Sequence, residues 1–272
     1  MSAPPSATAV KPDFPYWLVA GIAFALAVAI AIASSTIYAQ VFTIVAQGIG
    51  MTVFVAVVAF ALAAAIGLGI ALAGLSGSIW LRQGARFYTE LIRGIPVLVL
   101  LFWIAFAGVP AFVAGWNFIT APLRDAGYLT ELLVRDVSLL WRAVVALAIG
   151  YSPFIGEIFR AGILAVDPGV IEAAKALGLT RAQRFRLIVL PQAIRIILPP
   201  LGNDFIAITK DSSLVSVLGV ADITQMGKIY AAGSFRFFET YSIVAYVYLL
   251  LTASLSLALR ALERRMRRHQ KG

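Results

Sequence analysis

The chain has no cysteine among its 272 residues. Disulfide frameworks and thiolate metal sites are therefore excluded. Its single histidine, His269, sits in a basic tail and is a poor candidate for catalysis. Charge is scarce too: Asp, Glu, Lys and Arg make up 13% of the residues, against the roughly 25% with which a soluble domain solvates its surface. So little charge cannot cover a water-facing surface of this size, and lipid must face much of the chain. A phosphate-binding loop is also missing. Gly227-Lys228 is followed by Ile229 and lacks a glycine at the required upstream spacing. No nucleophile–base or metal-ligand cluster falls in the apolar stretches, which disfavours a membrane-embedded enzyme.

What the chain has in excess is apolar sequence, 61% of the total. It falls into six stretches near the roughly 20 residues that span a bilayer as a helix. They run over about Tyr16–Ala33, Gly48–Leu75, Tyr88–Val109, Trp141–Leu164, Ile194–Val220 and Tyr241–Leu259. They lack the two-residue alternation of a membrane barrel. The expectation is an all-α, polytopic helical bundle of six transmembrane helices. Gly67, Gly69 and Gly74 in the second stretch point to close helix packing. Tyr16, Trp17, Trp141, Tyr241, Tyr246 and Tyr248, near span ends, read as interface anchors.

The net charge of +9 would suggest nucleic acid in a soluble protein, but here it has a topological reading. Lys and Arg favour the cytoplasmic side. The tail holds Arg260, Arg264, Arg265, Arg267, Arg268 and Lys271, the fourth-to-fifth connection holds Arg160, Lys175, Arg181, Arg184, Arg186 and Arg195, and the second linker holds Arg82 and Arg86. All three fall on one side if the spans alternate. That places both termini in the cytoplasm and needs no nucleic-acid partner. The first stretch has a weakly basic start, with only Lys11, and a long apolar core. It reads as a retained helix rather than a cleaved signal peptide.

The segment Val166–Pro191 carries the most information. Asp167 can cap a short helix with Pro168 at its first position. Gly178 is a natural stop. Thr180 and Gln183 form a capping box for a second helix, which Pro191 ends. The first helix is about ten residues, or roughly 15 Å, too short to span. Ala173, Ala174, Ala176 and Gly178 let another backbone approach closely. An interfacial helix lying on lipid would favour bulky aromatics, and this one has none. A helix inserted into a partner's groove fits better.

Glu172-Ala173-Ala174, then Gly178, Ile188 and Leu190-Pro191 resemble the "EAA…G…I-LP" loop of ABC-importer permeases. The likeness extends to the polar amino acid branch (histidine, glutamine, arginine, opine) of that family. It is carried by Glu157-Ile-Phe-Arg160-Ala-Gly162-Ile163, Leu190-Pro-Gln-Ala193 and Leu198-Pro-Pro-Leu-Gly-Asn203. Lys210-Asp-Ser-Ser-Leu214 and Arg93-Gly94-Ile95-Pro96 match with one replacement each, Ser212 and Ile95 standing where the family has Thr. The resemblance covers about Gly48–Leu259. It implies a five-helix type I importer core within residues 41–260, with a cytoplasmic coupling-helix loop at 164–191. An extra N-terminal helix lies within 1–40 and a basic tail at 261–272. It further implies a non-enzymatic permease in the bacterial inner membrane. Its partners would be ABC ATP-binding subunits, a second permease subunit and a solute-binding protein, its cargo an amino acid. This chain would hold no cofactor, with ATP and Mg on the partner subunits. Glu172, Ala173, Ala174, Gly178, Leu190 and Pro191 would couple to the ATPase.

Ionisable residues at membrane depth are functional candidates by default. Asp204 falls roughly 15 Å into the fifth stretch, with Lys210 and Asp211 at roughly 24 Å. A zwitterionic amino acid needs a cation for its carboxylate and an anion for its ammonium. Lys210 can supply the first, and Asp204 or Glu157 the second, while Asn203 and Ser212 offer neutral hydrogen bonds. The alternative is internal pairing, Lys210 with Asp211 and Glu157 with Arg160. Arg93 reads as structural or headgroup-facing. Pro199-Pro200 reads either as a break that frees backbone carbonyls or as a plain kink. The rival to an ATP-driven permease is an ion-coupled secondary transporter using Asp204, Glu157 and Lys210 as a relay, but no clear internal repeat supports it.

Overall fold

The computed structural model describes residues 16–268. Lys11, His269 and Lys271, and the side chains of Trp17, Arg265, Arg267 and Arg268, lie outside the described residues. The elements are α1 (Tyr16–Ser34), α2 (Thr36–Ala46), α3 (Ile49–Gly74), α4 (Ile79–Arg93), α5 (Val97–Trp103), α6 (Val109–Ile119) and α7 (Ala121–Asp125). They continue with α8 (Leu139–Leu164), α9 (Pro168–Ala176), α10 (Arg181–Arg184), α11 (Leu190–Asp211), α12 (Ile223–Ser234) and α13 (Phe237–Arg268). No strand occurs among the described residues.

Five helical runs are long and apolar enough to cross a bilayer: Thr36–Gly74, Val97–Ile119, Leu139–Leu164, Arg181–Leu218 and Phe237–Arg264. The expected first span is the helix α1, whose apolar portion, Val19–Ser34, is shorter than these. The third span is shifted. Residues 88–93 belong to α4, and the chain turns at Gly94-Ile95 before Pro96 caps the next helix. Pro96 cannot donate a backbone hydrogen bond and biases Ile95 away from helix, so the break falls there. The apolar run then extends to Ile119, through a π-turn at Ile104–Gly108.

The expected stop at Pro191 and the break considered at Pro199-Pro200 are both absent. Pro191 does not end the second loop helix. A π-turn at Phe185–Val189 joins α10 to α11, and the Leu190 N–H reaches back to the Phe185 carbonyl. The wider turn moves the backbone off the register in which the Pro191 ring would clash. Likewise α11 runs through Pro199 and Pro200 without a break.

The core is built on α3 and α8, which run parallel. Phe54 meets Trp141 near their N-terminal ends, and Gly74 lies beside Arg160 near their C-terminal ends. Between them the backbones nearly touch. A Cβ on Gly67 would stand 2.9 Å from the Gly156 nitrogen and the Ser152 carbonyl oxygen. A Cβ on Gly156 would stand 3.0 Å from the Gly67 oxygen. The packing that these glycines promised therefore lies within one chain for Gly67, whereas Gly69 has open space. Leu101, Leu147, Ile155, Ile208 and Val215 complete this core with α5 and α11. A second cluster, Val41, Val45, Ile223, Ile243 and Val247, ties α2, α12 and α13 together.

Two aromatic anchors are reassigned. Tyr246 is buried, and its hydroxyl donates to the Ala25 carbonyl at 3.1 Å, which fastens α1 to α13. Tyr248 points inward to Asp222. Both hydroxyls have a protein partner and need no headgroup. Gly67→Val forces β-carbons against backbone and should cost about 1–3 kcal/mol, as overpacked cores do. Thermal unfolding in detergent should show a lowered midpoint for Gly67→Val and none for Gly69→Ala.

Candidate coupling loop and translocation pathway

The local chemistry of the loop is as its residues dictate. The Asp167 carboxylate accepts from the Gly169 N–H at 2.8 Å and caps α9, with Pro168 at its first position. Gly178 ends the turn with φ +78, the left-handed region that a Cβ disfavours. Thr180 and Gln183 cap the following helix reciprocally, Thr180 N–H donating to Gln183 Oε1 at 2.9 Å and Gln183 N–H to Thr180 Oγ1 at 3.3 Å.

α9 has two faces. Ala174 is buried, and Ile171 packs with Val166, Val189, Ala193 and Ile197 at the ends of α8 and α11. Ala174 thus seats the helix on its own chain and is not on the outward face. The exposed stripe is Val170, Ala173 and Leu177, spaced i, i+3, i+7. Leu177 is 81% exposed, the projecting member of that stripe. Glu172 and Lys175 are exposed beside it, and Leu190 and Pro191 are exposed where α11 begins. Val189, Ala193 and Ile197, against which Ile171 packs, lie on the helical run that continues into α11.

The intramembrane charges are distributed differently from the simplest pairing. Glu157 binds Arg93 rather than Arg160, Arg93 Nη1 donating to Glu157 Oε1 at 2.6 Å. The same guanidinium lies over the Phe154 ring, 5.1 Å from its centroid. Lys210 does not pair with Asp211. Asp211 instead accepts from the Tyr151 hydroxyl at 2.7 Å. Ser212 is fully buried and donates to the Thr209 carbonyl at 2.8 Å, so its hydroxyl is used within the fold. Asn203 and Lys210 are exposed and share a face seven residues apart. Asp204 and Asp211 share the adjacent, half-buried face. Asp204 Oδ2 is buried without a hydrogen-bond partner. An unpaired buried carboxylate oxygen is costly, and such an atom is where a cationic ligand gains most.

Two polar sites lay outside the sequence reading. Asp222 caps α12, accepting from the Gln225 N–H at 2.8 Å, and accepts from the Tyr248 hydroxyl at 3.0 Å. The Ile223 N–H donates to Thr52 Oγ1 at 3.2 Å. A Cβ on Gly48 would lie 2.4 Å from Asp222 backbone, so α3 begins hard against this knot. Burial raises the Asp222 carboxyl above the usual range, and the hydrogen bonds it accepts oppose that rise. The cap was legible as Asp-x-x-Gln, but its buried tyrosine partner was not. Arg142, also buried, donates to the carbonyls of Ala105, Val134 and Val137 and pins the loop before α8. Asp222→Ala should lose both the cap and the tyrosine contact. A drop in unfolding midpoint larger than that of Tyr248→Phe would show that the carboxylate is the centre of the knot.

The architecture is a polytopic helical bundle with a short helix slung between two spans. The chain belongs to the family of binding-protein-dependent transport system inner membrane components, whose model matches residues 64–268. It is similar to a probable amino-acid permease protein, YxeN, of Bacillus subtilis (strain 168), with 35% identity over 84% of this chain and 93% of that one. It is 39% identical to the glutamine transport system permease protein GlnP of Escherichia coli (strain K12), over 66% of this chain and 73% of that one. Among solved structures, an amino acid ABC transporter crystallised with histidines matches with a TM-score of 0.69 and 37% identity, over 86% of this chain and 98% of that one. The MetNI methionine ABC transporter, at 20% identity and a TM-score of 0.60 over 82% of this chain and 95% of that one, shares the fold. Family membership places the chain in a membrane-bound transport system that works with ATP-binding subunits and a solute-binding protein, and it does not favour an ion-coupled secondary transporter.

Proposed function

We propose that this chain is the transmembrane permease subunit of an ATP-driven importer of polar amino acids. The observation that carries the reading is α9: a helix too short to span, seated by Ile171 against Val166, Val189, Ala193 and Ile197 and leaving Val170, Ala173 and Leu177 exposed. The relatives named for amino acid, glutamine and octopine transport support the cargo class. In this reading residues 41–260 form the permease domain, the N-terminal helix is an addition to it, and both termini are cytoplasmic. A second permease subunit completes the path. ATP and Mg are handled by partner chains.

The mechanism is alternating access. A solute-binding protein delivers the amino acid from outside. Closure of two ATP-binding subunits moves α9, and the packed ends of α8 and α11 turn with it. Glu172 bonds at the subunit interface, and Gly178 allows the reversal that holds α9 at its angle. Asp204 takes the substrate ammonium, because its Oδ2 is a buried acceptor with no protein donor. Lys210 and Asn203, on the exposed face of α11, take the carboxylate and line the path toward the second subunit. Glu157, already neutralised by Arg93, serves as a switchable pair rather than a resting site.

Gly178→Asp tests coupling. The left-handed backbone there costs an L residue about 1–2 kcal/mol, and no neighbouring atom is close enough to clash. The reconstituted transporter should still assemble but lose substrate-stimulated uptake. Unchanged uptake would contradict the docking role. Asp204→Asn tests the cargo site. Losing a charge-assisted hydrogen bond worth about 1.5–3 kcal/mol should raise the uptake KM by at least tenfold, measured with radiolabelled glutamine, arginine and histidine in proteoliposomes.

A further inference from the structure

A polar cavity of about 450 Å³ opens where α3, α4 and α8 converge, at the end of the bundle that carries α9. Its charged lining is Arg82, Arg86, Glu90, Glu157 and Arg160. Those groups are not all free. Glu157 is neutralised by Arg93. Arg82 donates to the Ser76 and Gly77 carbonyls, at 2.9 and 2.8 Å, and closes the end of α3. Arg86 and Arg160 make no hydrogen bond or ion pair with the described residues, and Glu90 leaves them unpaired although it stands four residues from Arg86. The Arg160 stem is held against Gly74, whose Cβ would be 3.6 Å from Arg160 Cδ. Two guanidinium groups therefore face one cavity with a net surplus of positive charge.

The helix that forms the outer wall sets the cavity's depth. On α4 the exposed apolar residues Trp80, Phe87 and Leu91 recur at i, i+7 and i+11, with Ile79 and Leu81 also exposed in its first turn, while Arg82, Arg86 and Glu90 recur every fourth residue on another face. Such a division is the pattern of a helix that lies in the membrane–water interface, apolar stripe toward the acyl chains and basic stripe toward the headgroups. Trp80 is 85% exposed among the described residues. A guanidinium presents planar, paired donors that match phosphate oxygens.

We propose that this cavity binds a phosphate anion between Arg86 and Arg160, supplied by the headgroup of an anionic glycerophospholipid whose chains lie along the α4 stripe. The site does not depend on the transport reading, since it needs only a membrane at the level of α4. Bound lipid ties α4 to the α3–α8 pair, next to the Arg93–Glu157 contact.

The test is native mass spectrometry of the full transporter released from nanodiscs of phosphatidylcholine with increasing phosphatidylglycerol. The parent should retain phosphatidylglycerol in preference to phosphatidylcholine. Arg86→Gln with Arg160→Gln should weaken that retention on the order of thirtyfold, from the loss of two cationic contacts at an anionic surface. The paired Lys variants should restore most of it, which separates lost charge from lost folding. Arg195→Gln, outside the cavity, should leave it unchanged. Millimolar inorganic phosphate added to the parent distinguishes the sources. Failure to displace the lipid supports the headgroup, whereas full displacement with equal binding in phosphatidylcholine alone would show a free-phosphate site and overturn the lipid assignment. Equal retention by the parent and the double Gln variant would overturn the site itself.

Discussion

The architecture depends on the approach of two backbones. Where Gly67 and Gly156 meet, α3 and α8 lie closer than any pair of helices with β-carbons could. Lipid offers little hydrophobic drive to bring two apolar helices together, so close packing and dispersion must do it. The consequence is a rigid parallel pair. At one end it carries the buried Thr52–Asp222 knot, and at the other the charged groups around Glu157 and Arg160. α9 hangs from the same end, because it follows directly on α8.

That arrangement gives the loop a mechanical context. Ile171 anchors it inward on a seat made by Val166, Val189, Ala193 and Ile197, and Ala174 beside it is buried. α10 and α11 are joined without a break through the π-turn at Phe185–Val189. The helical run that packs under Ile171 continues from Arg181 to Asp211 and carries Asn203, Asp204 and Lys210. The same π-turn explains how a proline at position 191 can sit inside that run.

Much of this was legible in residue order. Asp167-Pro168, Gly178 and Thr180–Gln183 are local signals, because each depends on hydrogen bonds or backbone angles within a few positions. The class of fold was legible from hydropathy alone. What escaped was whatever depends on a partner far along the chain. Arg93 and Glu157 are 64 residues apart, and no local rule pairs them in preference to Glu157 and Arg160. Tyr246 and Tyr248 look like interface anchors until α1 and α12 pack beside α13. Pro191 reads as a stop, because a bilayer helix that re-registers around proline looks the same in sequence as one that ends there.

On the proposed function, the Val170–Ala173–Leu177 face of α9 docks into an ATP-binding subunit. The absence of native cysteine makes the chain a clean background for site-directed cross-linking. Single cysteines at Ala173 and Leu177, labelled through the thiol with a reagent whose other end is photoreactive and inserts into any neighbouring chain, should each yield on illumination, in membranes containing the complete transporter, a permease–ATPase adduct whose amount changes on adding ATP. A cysteine at Gly69, in α3, should yield none. Adducts absent at both loop positions, or formed equally at Gly69, would contradict the account.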